Sequence, residues 1–148
     1  MMPPMRIVKA VAQALLGGTL AFAGITHLTV ARQEFLAQVP DWFPIDHDFV
    51  VLASGVVEIG LGAALLTMWR QPARGLVGAA AATFFVVVFP GNIAQWLEHK
   101  DGFGLDTDTK RFARLFFQPL LVLWALGATG AVGTVRGLLR RRRERVSG

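Results

Sequence analysis

The chain has 148 residues, of which 53% are hydrophobic and only 17% charged, with positive mean hydropathy. That composition excludes an ordinary soluble domain of this size and points to a single membrane domain covering 1–148. The absence of cysteine excludes structural disulfides, thiolate metal sites and dithiol redox chemistry carried by the chain itself. The formal charge of +5 comes largely from arginines gathered near the C-terminus without a recognition motif beside them, so nucleic acid is not an expected partner.

In chain order, Arg6 and Lys9 precede a first apolar run over about 11–30. Ala21-Phe22-Ala23 before Gly24 has the small-residue pattern of a signal-peptide cleavage site, and cleavage there would leave three spans rather than four. Apolar character continuing to Val30 favours a retained helix. Gly24 stands one turn before His27 on a common face. Residues 31–48 form a polar connection holding Pro40, Trp42, Phe43 and Pro44, with the two aromatic residues suited to the headgroup zone. Asp46, His47 and Asp48 carry ligand atoms, but three adjacent residues converge poorly on one ion, so a solvated loop is expected and no metal.

The second run, about 49–69, has one ionisable residue, Glu58. Read as a helix it is about 30 Å long, the thickness of a bilayer's hydrocarbon core, and it places Glu58 near the midplane. A carboxylate there is costly by at least a few kcal/mol, so it must face other helices, find a hydrogen-bond partner or hold a proton. Ser54 and Gly62 lie one turn to either side on the same face, where small residues admit a neighbouring helix. Trp69 and Arg70 anchor the end of this run.

The short segment 70–74, with Pro72 inside it, predicts an antiparallel hairpin between the second span and a third over about 75–96. Pro90 and Gly91 predict a kink in that third span, and Asn92 and Gln95 follow on one face. A mixed-charge loop over 97–114 leads to a fourth span over about 115–135. Gln118 and Pro119 lie in its first turn, and Arg114 stands one turn before Gln118. A basic tail, 136–148, carries Arg140 to Arg143 in a row.

The fold expected is therefore all-α: a polytopic four-transmembrane-helix antiparallel bundle. The N-terminus, second loop and tail hold ten of the fifteen basic residues with one acid, Glu144, whereas the first and third loops hold five basic residues against eight acids. Both termini are expected to be cytoplasmic, with the tail near anionic lipid. In that topology His27, Glu58, Asn92, Gln95 and Gln118 fall in the outward-facing half of one bundle. Arg114 lies about a turn or more above Glu58, so Gln118 or Asn92 is the nearer expected partner. These groups serve either as interhelical hydrogen-bond glue, at roughly a kcal/mol each, or as a ligand or proton site.

Five segments carry a family resemblance: GITHL, EFLAQVPDWFP, SGVVEIGLGAALL, FPGNIAQ and RLFFQPLLVLWA. Together they span roughly residues 10–127, and the chain resembles the DoxX-like family of small four-helix integral membrane proteins. His27, Glu58, Asn92 and Gln118 match that family's positions, and Arg114 matches the arginine opening its last helix. The resemblance implies a multi-pass protein of a bacterial-type plasma membrane associated with quinone-linked or other redox complexes. The chain departs from any thiol-redox version because it has no cysteine, and it has no ligand pairs expected for haem or iron–sulfur centres.

Three functions are compatible with these features. The first is a non-catalytic accessory or scaffold component of a membrane redox system, with a membrane redox enzyme as partner and self-association left open by the small-residue faces. The second is a quinone-binding subunit, in which Glu58 donates to a quinone carbonyl, His27 shuttles the proton, and Asn92 and Gln118 orient the ring. The third is a proton or small-solute transporter with Glu58 as its titrating site, for which four short helices enclose little room.

Overall fold

A computed structural model describes residues 4–29, 39, 41–98 and 107–148, and among these the regular structure is helical. In chain order the helices are α1 (Pro4–Leu28), α2 (His47–Thr67), α3 (Ala73–Leu97), α4 (Asp108–Leu115), α5 (Phe117–Thr129) and α6 (Ala131–Ser147). Three of them, α1, α2 and α3, contain stretches long and apolar enough to cross a membrane; α5 and α6 together make a fourth if they count as one bent span.

Helix α1 begins at Pro4, ahead of the expected start at residue 11, because proline is tolerated in a first helical turn and nothing after it breaks the helix. Asp48 in the first turn of α2 complements the positive end of the helix dipole. Helix α3 begins straight after Pro72 and runs without interruption through Pro90, so the expected kink does not divide it. The fourth span, expected unbroken over 115–135, is divided at Gly130. That residue takes the left-handed conformation (φ 70°, ψ 27°), and the chain turns by 65° between α5 and α6. The residues expected to form a tail at 136–148 belong to α6. Residues 31–38 and 40 of the first loop lie outside the described residues, as does 99–106 of the third.

The helices pack as two pairs. Helix α1 packs chiefly on α2, and α3 chiefly on α5 and α6; α1 also touches α5, while α2 and α3 touch only slightly despite their short connection. Residue pairings set the directions. Gly24 meets Gly55, and Gly17 meets Gly62, so α1 and α2 are antiparallel. Gln118 meets Phe85 and Thr129 meets Gly78, so α3 and α5 are antiparallel too.

Glycines make the α1–α2 approach close. A Cβ at Gly24 would lie 2.6 Å from the Gly55 carbonyl oxygen, and one at Gly62 would lie 2.6 Å from both the Ala21 nitrogen and the Gly17 oxygen. The core is small: Leu16 and Leu20 of α1, Leu65 of α2, Ala81, Ala82 and Phe85 of α3, and Ala125 of α5. Large apolar side chains point outward instead, among them Phe22 at 70% and Val87 at 67% exposure. A helical bundle with so little inside and so much apolar surface outside is suited to lipid, where burial between helices is driven by close packing rather than by escape from water.

Candidate functional site

The expected site is described in part. Val51, Gly55, Gly62 and Leu65 form the buried stripe of α2, and Glu58 falls between them at the i+3 and i+4 positions that continue this stripe toward α1. The register of Gly24 with Gly55 and Gly17 with Gly62 puts Glu58 about level with Ala21. Its side chain is half-buried and its Oε2 atom is shielded. Ser54 is half-buried, and its Oγ donates to the Val51 carbonyl at 3.0 Å within its own helix; Gly55, not Ser54, makes the close approach to α1.

Gln118 is 3% exposed, and its Nε2 donates to the Phe85 carbonyl across the α3–α5 contact at 2.6 Å. The next carbonyl along, that of Val86, is the one whose ordinary helical donor is missing because residue 90 is proline. An amide from a neighbouring helix thus adds a bond in the turn that proline weakens, beside the freed carbonyl rather than on it. His27 lies in α1, Asn92 and Gln95 lie in α3, and Arg114 lies in α4 rather than at the head of the fourth span. The side chains of these four lie outside the described ones.

Among the described side chains, a dense polar cluster stands at the other end of the bundle. Gln13 of α1 is fully buried, and its Nε2 donates to the carbonyls of Leu65, at 2.8 Å, and Met68, at 3.1 Å. Both carbonyls belong to the C-terminal end of α2. Arg74, in the first turn of α3, donates from Nε to Gln13 Oε1 at 2.6 Å and from one terminal nitrogen to the Ala128 carbonyl at 2.9 Å. Its guanidinium also lies 5.7 Å from the centre of the Trp69 ring, within cation–π range.

Gln71 completes the set. Its Nε2 donates to the Thr129 carbonyl at 2.8 Å, while its Oε1 accepts from the Gly75 backbone N–H at 2.9 Å and from Thr134 Oγ1 at 2.8 Å. Trp124 adds a bond from its indole N–H to the Ala12 carbonyl at 2.8 Å.

One physical rule organises the cluster. A helix leaves its last carbonyls without internal partners, and in or near lipid such groups must be satisfied by the protein. Gln13 serves the end of α2, and Arg74 and Gln71 serve the end of α5. A guanidinium beside a helix C-terminus also complements the negative end of the helix dipole. Helix α5 can therefore stop at Thr129, only 13 residues long, because its terminal carbonyls are capped from α3 and from the α2–α3 connection.

Gln13, Gln71, Arg74, Thr129 and Thr134 are absent from the expected site. Gln13 alone carried a signal, as an amide inside the first apolar run; Gln71 and Arg74 read as an ordinary polar connection. Among the described residues, no group of three His, Cys, Asp or Glu side chains is placed to hold a metal ion. An open apolar groove of about 370 Å³ lies between α3 and α5, lined by Val86, Phe89, Pro119, Val122 and Leu123. It begins one residue along each helix from the Gln118–Phe85 bond.

The family model described as a domain of unknown function (DUF8561) matches residues 16–129. That region runs from the α1 core residues to the capped end of α5. No curated protein and no solved structure matches the chain.

Proposed function

We propose, from the premise that the chain belongs to this DUF8561 family, that it is a non-catalytic accessory or scaffold protein of a membrane-associated redox system. The observation carrying this proposal is the use made of the described polar side chains. Gln13, Gln71, Arg74 and Gln118 direct donors at backbone carbonyls of neighbouring elements, which builds a bundle rather than presenting groups to a substrate. Bonds of this kind each stabilise a membrane bundle by about 1 kcal/mol.

The DoxX-like resemblance of the helix motifs supports the redox setting, with a membrane redox enzyme as partner. The lysine and arginine bias supports cytoplasmic termini in a bacterial-type plasma membrane. Crosslinking in native membranes tests the proposal: a reproducible membrane redox enzyme should be recovered with the wild-type chain, and recovery of no reproducible partner would reject it.

The groove beside Gln118 favours one alternative, a quinone-binding subunit using Glu58 with His27, Asn92 and Gln118, with the prenyl tail between α3 and α5. Mass spectrometry of lipids retained by the gently purified protein separates the two proposals. Near-stoichiometric quinone in the wild type, lost in Glu58→Gln, would establish the alternative. Absence of quinone from a folded wild-type preparation leaves the scaffold.

A further inference from the structure

At Gly130 the chain turns 65° from the direction of α5 into α6, which still packs on α3. Helix α6 stays level with the first turn of α3, because Thr134 Oγ1 donates to Gln71 Oε1 and Gly75 abuts the Thr134 side chain. If α5 runs along the bundle, α6 runs nearer to the plane of the bilayer than to its normal.

The sequence of α6 suits that course. Val132, Val135, Leu139 and Val146 recur at helical spacing on one face, and Val132, Leu139 and Val146 are exposed. Arg136, Arg140 and Arg143 flank this face on one side and Arg142 and Arg145 on the other, with Arg141 behind it, against the single acid Glu144. Leu139 and Val146 share a shallow groove with Arg142 and Arg143. An apolar strip flanked by guanidinium groups is the arrangement of a helix lying at the headgroup and acyl boundary, and guanidinium pairs well with phosphate oxygens.

We propose that α6 is an in-plane membrane helix that docks on anionic phospholipid, with its arginines on the phosphate groups and its valine–leucine face in the acyl boundary. The proposal requires the membrane embedding of the bundle but not the scaffold function. Charge complementarity and covalent continuity with the membrane-crossing helices select a lipid surface over nucleic acid as the occupant.

The test uses the full chain reconstituted in bilayers of phosphatidylcholine alone or of phosphatidylcholine mixed with phosphatidylglycerol. Because the native sequence has no cysteine, Val146→Cys and Glu144→Cys each accept one environment-sensitive fluorophore. Residues 144 and 146 lie on opposed faces of the helix. In the mixed bilayer, lipid-borne quenchers should reach the probe at position 146 and not the one at 144, and this contrast should weaken in phosphatidylcholine alone and at high salt.

Changing Arg140 and Arg143 to glutamine should lower the docked-to-undocked ratio by roughly fivefold per arginine, while changing both to lysine should largely preserve it. Equal quenching at the two positions would overturn the proposal. So would indifference to phosphatidylglycerol, or loss with lysine as complete as with glutamine. Release of position 146 from the mixed bilayer by an added DNA duplex would assign α6 to nucleic acid instead and equally overturn it.

Discussion

Arg74 and Gln13 meet side chain to side chain, Nε to Oε1 at 2.6 Å, and this one bond joins the caps of two helices. Gln13 turns its amide nitrogen to the end of α2, and Arg74 turns a terminal nitrogen to the end of α5. A charged group so placed is held by neutral oxygens and an aromatic face. Hydrogen bonds to a charged group are worth more than neutral ones, about 1.5–3 kcal/mol each.

Gln13→Leu leaves the Leu65 and Met68 carbonyls without this donor and removes an acceptor from Arg74. It should destabilise the bundle by about 1–3 kcal/mol. In a double-mutant cycle with Arg74→Leu, measured by denaturing-detergent titration, the double variant should lose less than the summed single losses by about 0.5–3 kcal/mol. Strict additivity would mean that the two residues act separately.

Two glycines of α2 should respond oppositely to alanine. At Gly62 the added Cβ meets α1 backbone at 2.6 Å, where no flexible side chain can move aside, whereas at Gly60 nothing lies within 4 Å. Gly62→Ala should cost about 1–3 kcal/mol by forcing α1 and α2 apart. Gly60→Ala should be neutral or stabilise by roughly 0.5–1 kcal/mol through helix propensity. Thermal unfolding of the two variants in one detergent compares them directly, and equal responses would contradict the close α1–α2 contact.

Gly130→Ala tests the break between α5 and α6. With φ at 70°, an alanine there costs about 1–2 kcal/mol in the bent form and none in a continuous helix. Spin labels introduced on α5 and α6 should therefore move apart as the bend opens. An unchanged distance distribution together with unchanged stability would show that Gly130 does not set the angle.

The broad plan was legible along the chain. The apolar runs that became α1, α2 and α3 were evident from hydropathy, and Glu58 was placed on a buried stripe by its spacing from Gly62. The break within the expected fourth span is not legible, because a single glycine inside an apolar run is compatible with a continuing helix; nothing in 115–135 announces that residue 130 is left-handed. The α2–α3 hairpin was inferred from a short connection, yet the close packing is between α1 and α2 and between α3 and α5. Small residues decide that by allowing backbones to approach, and they are too common along this chain to identify their partners beforehand.

By itself the sequence determined a helical, membrane-embedded chain with an arginine-rich end. Helices satisfy their own backbone bonds within one segment, so a long apolar run in lipid has little other choice of structure. Only the tertiary structure decided where the polar side chains act. Helix ends expose carbonyls whose positions depend on how neighbouring helices are staggered, and a hydropathy pattern records burial without recording which donor meets which oxygen. Gln13, Gln71 and Arg74 stand 52 to 58 residues along the chain from the carbonyls they reach; in the folded bundle they are within hydrogen-bond distance, and that proximity turns three ordinary polar residues into the caps that let α2 and α5 end where they do.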